Sequence, residues 1–202
     1  MPFLHASRRA TLTATLLLGL TLSGCSTQED GGDEGRGGRS DVADVLGTTL
    51  QVRTTVARVH GSLTPRRRSG LEQEAGRVLA RYFAAAYLHE RPADGYRGAF
   101  PGFTRGARAL ALRDVDTVAD AALVDADEVR PKGAVAFLSV VAPGGRPAGA
   151  TARVFLNLRV TEDGRGRTVP VRGRLLLTPV GDGWRIFGYD LSLDQAGTRR
   201  GR

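Results

Sequence analysis

Thr151 to Thr161 alternates between apolar and polar side chains more strictly than any other stretch of this chain. Ala152, Val154, Leu156, Leu158 and Val160 fall on one side, and Arg153, Asn157 and Arg159 on the other. A period of two belongs to a strand with one buried face. Such a strand needs neighbours in a sheet and a second layer to cover its apolar side. The flanking sequence supplies both. Asp163-Gly164 is a hairpin turn signal, Val169 to Leu177 reads as the next strand, Gly181-Asp182-Gly183 as a tight turn, and Trp184 to Leu191 as another strand. Upstream, Ala134 to Val141 (AVAFLSVV) is apolar on both sides, as a central strand would be. Pro170, Gly173 and Gly188 interrupt these strands and predict bulges or bends, hence a strongly curved antiparallel sheet.

The first half of the chain changes period. Leu50 to Val59 is β-branched and reads as a strand, followed by a basic loop, Thr64-Pro65-Arg66-Arg67-Arg68. Ser69-x-x-Glu72 fits a capping box, which predicts a helix over residues 70–90, with Ala75, Leu79, Tyr82, Phe83 and Ala86 on one face and Pro92 ending it. Residues 93–103 read as a loop, and Thr104 as the cap of a second helix to about Arg113. The expected class is α+β, a curved antiparallel sheet cupped around one long helix over residues 41–193.

Two leading helices and a strand meander ending in GDGWRIFGYDLSLD resemble the cone-shaped (cystatin-like) fold of nuclear transport factor 2 (NTF2) and ketosteroid isomerase. Within that group the chain is most similar to exported or membrane-tethered actinobacterial members, including the Mce-associated proteins. The matching pieces are Arg81-Tyr82-Phe83-Ala84-Ala85-Ala86-Tyr87, the helix start at Phe103-Thr104 and the last strand at Gly183-Trp184-Arg185-Ile186, and the likeness covers about residues 70–193. These motifs are architectural. The resemblance implies a fold and carries no activity with it, because this fold hosts enzymes, ligand binders and scaffolds.

Residues 1–24 read as an export signal. Arg8 and Arg9 form the positive region, and Ala10 to Leu22 is an uncharged, largely apolar run, short for a membrane span of about 20 residues. The run ends in Leu22-Ser23-Gly24-Cys25, which resembles the lipobox of bacterial lipoproteins. That resemblance implies cleavage before Cys25 and lipid attachment to it; two or three acyl chains hold a protein stably on a membrane. Ser7-Arg8-Arg9-Ala10-Thr11-Leu12 loosely resembles a twin-arginine signal, so both export routes stay open. Residues 26–40 (STQEDGGDEGRGGRS) carry four acids, two arginines and no apolar periodicity. They read as a flexible tether spanning roughly 20 Å root-mean-square. Residues 194–202 read as a frayed basic tail.

Composition limits the chemistry. The 202 residues carry a net charge of +8, and of the 29 basic residues only Lys132 is lysine. Arginine at that ratio fits both a GC-rich genome and an anionic partner. For an exported protein that partner is anionic lipid or wall polymer, with no nucleic acid expected. Cys25 is the single cysteine, so no internal disulfide exists. His60 and His89, at a strand end and a helix end, fit solvated positions. No metal-ligand spacing and no phosphate-binding loop is present, and no cofactor is expected. Asp114, Asp116 and Asp120 are the densest acidic group; if helical, Asp116 and Asp120 share a face. No acid aligns with a catalytic position of the resembled enzymes, so no catalytic residue is assigned.

Two sets of binding residues remain as candidates. Tyr82, Phe83, Tyr87, Phe103 and Trp184 would lie between helix and sheet, as plain core or as the lining of a pocket for a lipid-like or cyclic ligand. Arg66, Arg67 and Arg68 would be a solvated loop or a contact with the membrane surface. Phe155 and Phe187 fall on the polar sides of their strands. They would form an outer apolar patch for a homodimer or a protein partner, unless the Leu50–Val59 strand covers it. The leading expectation is a lipid-anchored extracytoplasmic protein, a non-enzymatic binding or scaffold domain of a transport or assembly complex in the cell envelope. The alternatives are a small-molecule enzyme of the SnoaL/ketosteroid-isomerase type and a homodimeric structural protein.

Overall fold

The computed structural model describes residues 50–88 and 95–194. The signal, Cys25, the acidic linker, His89 and the basic tail lie outside them. In chain order the elements are strand β1 (Val52–Gly61), helices α1 (Pro65–Tyr87), α2 (Arg105–Ala111) and α3 (Val115–Val118), and strands β2 (Glu128–Ala142), β3 (Gly149–Glu162), β4 (Arg165–Val180) and β5 (Gly183–Leu193). Short 3-10 turns occupy Gly95–Gly98, Asp120–Leu123 and Pro143–Gly145.

The five strands form one sheet in the order β1-β2-β3-β4-β5. The three pairs from β2 to β5 are antiparallel, but β1 pairs with β2 in parallel, so the sheet is mixed and not wholly antiparallel. The reason lies in the connection. A hairpin reverses the chain, whereas α1 to α3 carry it back for a second pass in the same direction. This also places β1 at the edge of the sheet, where it does not cover the outer face.

The alternation in β3 is realised as read: Ala152, Val154, Leu156, Leu158 and Val160 are all buried. They pack with Leu138 and Val140 of β2, Val171, Leu175 and Leu177 of β4, and Ile186 of β5 against Leu71, Ala75, Leu79, Tyr82, Phe83 and Ala86 of α1. Burying one such leucine or valine contributes about 1.5–3 kcal/mol, so this inner face holds the fold together. The opposite face is not apolar throughout. On β2, Phe137 and Val141 remain 45% and 50% exposed, so that strand is not buried on both sides.

Helix α1 begins earlier than the capping box predicts. Thr64 is the N-cap, its hydroxyl accepting from the Arg67 N–H at 3.3 Å, and Pro65 occupies the first helical position. The three arginines thus form the first turn and not a loop. Ser69 is an interior helical residue, and Glu72 reaches instead to β1, accepting from the Val56 N–H at 2.8 Å. Arg68 donates to the Val56 carbonyl at 2.9 Å. The last helical residue is Tyr87. Helix α2 starts as expected, Thr104 accepting from the Ala107 N–H.

The sheet bends at three register shifts: in β1 between Val56 and Arg58, in β2 between Pro131 and Gly133, and opposite Leu176/Leu177, where Phe187 is the extra residue beside Gly188. Each inserted residue kinks and twists its strand. Gly173 sits at φ +143°, where a side chain would collide with the Asp190 carbonyl, so the close approach of β4 to β5 requires glycine. The Asp163-Gly164 turn has both residues at positive φ, as a two-residue hairpin of matching twist needs. Loop residues seal the β5 edge at one point: Thr104 N–H donates to the Ile186 carbonyl and Ile186 N–H to the Gly102 carbonyl, at 2.8 and 2.9 Å.

Candidate functional site

The inner face brings four of the five predicted pocket aromatics into one cluster. Tyr82 lies 5.1 Å from Phe83, 6.3 Å from Tyr87 and 4.9 Å from Phe103, centroid to centroid, and Phe100 joins at 6.3 Å. Tyr82, Phe83 and Tyr87 have no exposed surface. These rings fill the space between α1, α2 and the sheet by touching one another, in the tilted geometries that aromatic pairs favour. Trp184 stands apart. It lines a shallow open depression of about 290 Å³ with Leu71, Glu74, Pro147 and Pro179.

Polar groups enter this cluster from the α3 segment. Tyr82 donates its hydroxyl to the Val118 carbonyl at 2.6 Å, satisfying the last residue of α3. The Tyr87 hydroxyl is buried beside Tyr82 and Asp120 and makes no hydrogen bond of normal geometry among the described residues. Tyr189 donates to Asp114 Oδ2 at 2.6 Å, so the acid that precedes α3 holds a β5 tyrosine and does not cap its own helix. Burial pushes the Tyr82 phenol well above the usual tyrosine value, and the neighbouring Tyr87 adds to the effect. Burial also raises Tyr87, and desolvation together with Asp114 raises Tyr189. All three phenols are therefore neutral donors throughout the physiological range. Asp116 and Asp120 do not share a helical face, because Ala119 takes an extended conformation between them.

Sequence reasoning found the rings but not their partners. Val118, Asp114 and Asp120 come from a segment joined to the tyrosines only by the fold, and no local spacing announces the meeting. Among the described residues, no cluster of three or more His, Cys, Asp or Glu is placed to hold a metal. His60 lies exposed on β1.

The arginine triplet is also accounted for in part. Arg67 donates to the Gly145 carbonyl at 2.5 Å and Arg68 to the Val56 carbonyl at 2.9 Å, while Arg66 is exposed.

The second region is the outer face of the sheet. One row across it reads Thr55, Phe137, Arg153, Arg174, Asp190; the next reads Arg53, Val135, Phe155, Arg172, Ser192. Phe137 and Phe155 meet edge to face at 6.2 Å, and the Arg153 guanidinium stands 5.5 Å over the Phe155 ring. Arg174 is paired with Asp190 at 2.6 Å. The phenylalanines and arginines thus interleave on a surface that no described element covers.

The chain matches no family model, no curated protein and no solved structure. No described helix is long and apolar enough to cross a membrane.

Proposed function

We propose that this chain is a lipoprotein anchored through Cys25 on the extracytoplasmic side of the cell membrane, and that its NTF2-like domain is a non-enzymatic binding or scaffold module of the cell envelope. The long helix laid on one face of a bent five-stranded sheet is compatible with the cone of that fold. The observation that carries the binding part is the outer face, where Phe137 and Phe155 stay in reach of solvent although the inner face offers a full aromatic core. Large aromatic side chains left on an uncovered sheet face favour a docking role. The address rests on Leu22-Ser23-Gly24-Cys25 behind its apolar run.

The test is Cys25→Ala in the producing cell. The wild-type chain is expected in the membrane fraction with acyl mass on its N-terminal cysteine, and the variant is expected to lose that mass and leave the membrane. A variant that stays fully membrane-bound overturns the anchor.

One observation favours a second reading, a small-molecule enzyme or ligand carrier. The Tyr87 hydroxyl is buried beside Tyr82 and Asp120 without a hydrogen bond of normal geometry among the described residues, and a buried polar group of that kind calls for an explanation. Native mass spectrometry of the gently purified protein separates the readings. Reproducible extra mass lost on denaturation supports this second reading, and bare protein mass supports the scaffold.

A further inference from the structure

The outer face has an electrostatic imbalance that its own residues do not resolve. Arg153 and Arg174 are directly opposite each other on neighbouring antiparallel strands, a placement in which like charges repel. Asp190 binds Arg174, but it sits at the far end of the row, on the β5 edge, and leaves Arg153 over the Phe155 ring. In the adjacent row Arg172 faces Phe155, and Arg53 sits two strands away on β1; neither has an acid opposite it. All four arginines are exposed. Four exposed acids, Asp114, Asp116, Asp125 and Asp127, lie elsewhere, around α3 and the start of β2. In these two rows four arginines stand with one acid, Asp190.

We propose that this face, Arg53, Arg153, Arg172 and Arg174 around Phe137 and Phe155, docks on an anionic phospholipid surface. The arginines pair with phosphate oxygens, which accept from the planar guanidinium fork. Phe137, 45% exposed, enters the headgroup layer between them. Charge complementarity selects this occupant. A second copy of the chain meeting the face symmetrically would set arginines against arginines. A lipid surface supplies a dense layer of anionic phosphates for these arginines. The proposal deepens the anchored-lipoprotein reading and rests on it for biological context. The intrinsic affinity of the face, however, can be measured without the anchor.

The experiment uses the full chain carrying Cys25→Ser, so that lipid attachment contributes nothing and the remaining N-terminal residues are common to every sample. Co-sedimentation is measured with vesicles of equal parts phosphatidylglycerol and phosphatidylcholine, and with phosphatidylcholine alone. Arg153→Gln/Arg174→Gln is compared with Arg77→Gln/Arg81→Gln, which removes the same charge from the exposed side of α1. The face variant is expected to bind anionic vesicles about 30-fold more weakly, taking each basic residue at such a surface as about fivefold. The α1 variant is expected to keep most of its binding, and phosphatidylcholine alone to bind little. Equal losses in both variants would mean that net charge acts without the face, and would overturn the proposal. So would absent binding by the parent chain, or a parent chain that is a dimer separated by Phe137→Ser. Thermal melting of each variant confirms that it is folded. Failure here leaves the Cys25 anchor standing, because the anchor is read from acyl mass in the cell.

Discussion

The two faces of this sheet are built by the same strands and obey opposite rules. On β3, Leu156 points inward and is 1% exposed, while its neighbour Phe155 points outward and packs on Phe137 and under Arg153. The inner face is held by mutual exclusion of water: rings touch rings, and polar atoms that enter are paired or carried by neutral phenols. Besides its backbone ladder, the outer face has the Phe137–Phe155 contact, Arg153 over Phe155 and the exposed Arg174–Asp190 pair. These exposed contacts add little to folding. What separates the faces is a shift of one residue along a strand, since alternate side chains point to opposite sides.

Adjacent substitutions test that contrast most strongly. Leu156→Ala is expected to destabilise the fold by about 2–5 kcal/mol, as a truncated buried leucine does. Phe155→Ala is expected to cost about 0.5–1.5 kcal/mol, the worth of its aromatic contact. Chemical denaturation of both variants measures the difference, and equal losses would break the distinction between the faces.

Next comes alkaline pH. Tyr82 and Tyr87 hold their protons in the folded state at pH values where unfolded tyrosines, with a pKa of about 10, have lost theirs. The unfolded state then binds fewer protons than the native one, so stability falls as pH rises from about 10 upward. Melting curves over that range, read beside tyrosine ultraviolet absorbance, are expected to show ionisation and unfolding together. Phenols that ionise well before the melt would contradict the closed inner face.

Removing single hydroxyls sharpens the picture. Tyr82→Phe strands the Val118 carbonyl and is expected to cost about 1–3 kcal/mol. Tyr87→Phe removes a hydroxyl that has no hydrogen bond of normal geometry, and is expected to be neutral or slightly stabilising. The smallest effect belongs to the outer face. Arg153→Gln is expected to change stability by no more than about 0.5 kcal/mol, as surface substitutions do, with a small gain from relieving its repulsion with Arg174. A residue neutral for folding yet needed for vesicle binding would set the two faces apart in a single variant.

Legibility followed the range of the interactions. The β3 alternation, the Asp163-Gly164 turn and the Thr104 cap are local patterns, and each is present in the fold. The start of α1 is ambiguous in the sequence because two caps compete. Thr64-Pro65 and Ser69-x-x-Glu72 both fit, and the choice is tied to Glu72 and Arg68 reaching the Val56 backbone, a contact that exists only once β1 lies alongside. The parallel pairing of β1 was hidden for a similar reason, since direction is set by the crossover and not by the strand's own residues. The aromatic set at Tyr82 was visible from helical spacing. Its partners at Val118, Asp114 and Asp120 were not, because they arrive from a segment whose helix breaks at Ala119. The outer Phe155 and Phe187 were visible from strand phase, but the opposition of Arg153 and Arg174 needed the register.

The Val56 clamp has one more consequence. A strand at the margin of a sheet is a template on which a neighbouring chain can lay its own backbone, and repetition of that step leads to aggregation. Here a carboxylate and a guanidinium from α1 occupy the free amide and carbonyl of one residue, and Gly102 and Thr104 do the same for Ile186 on the opposite margin. An incoming strand would have to break these bonds before making its own. Molecules crowded side by side on any surface could then lie edge to edge without growing into a shared sheet.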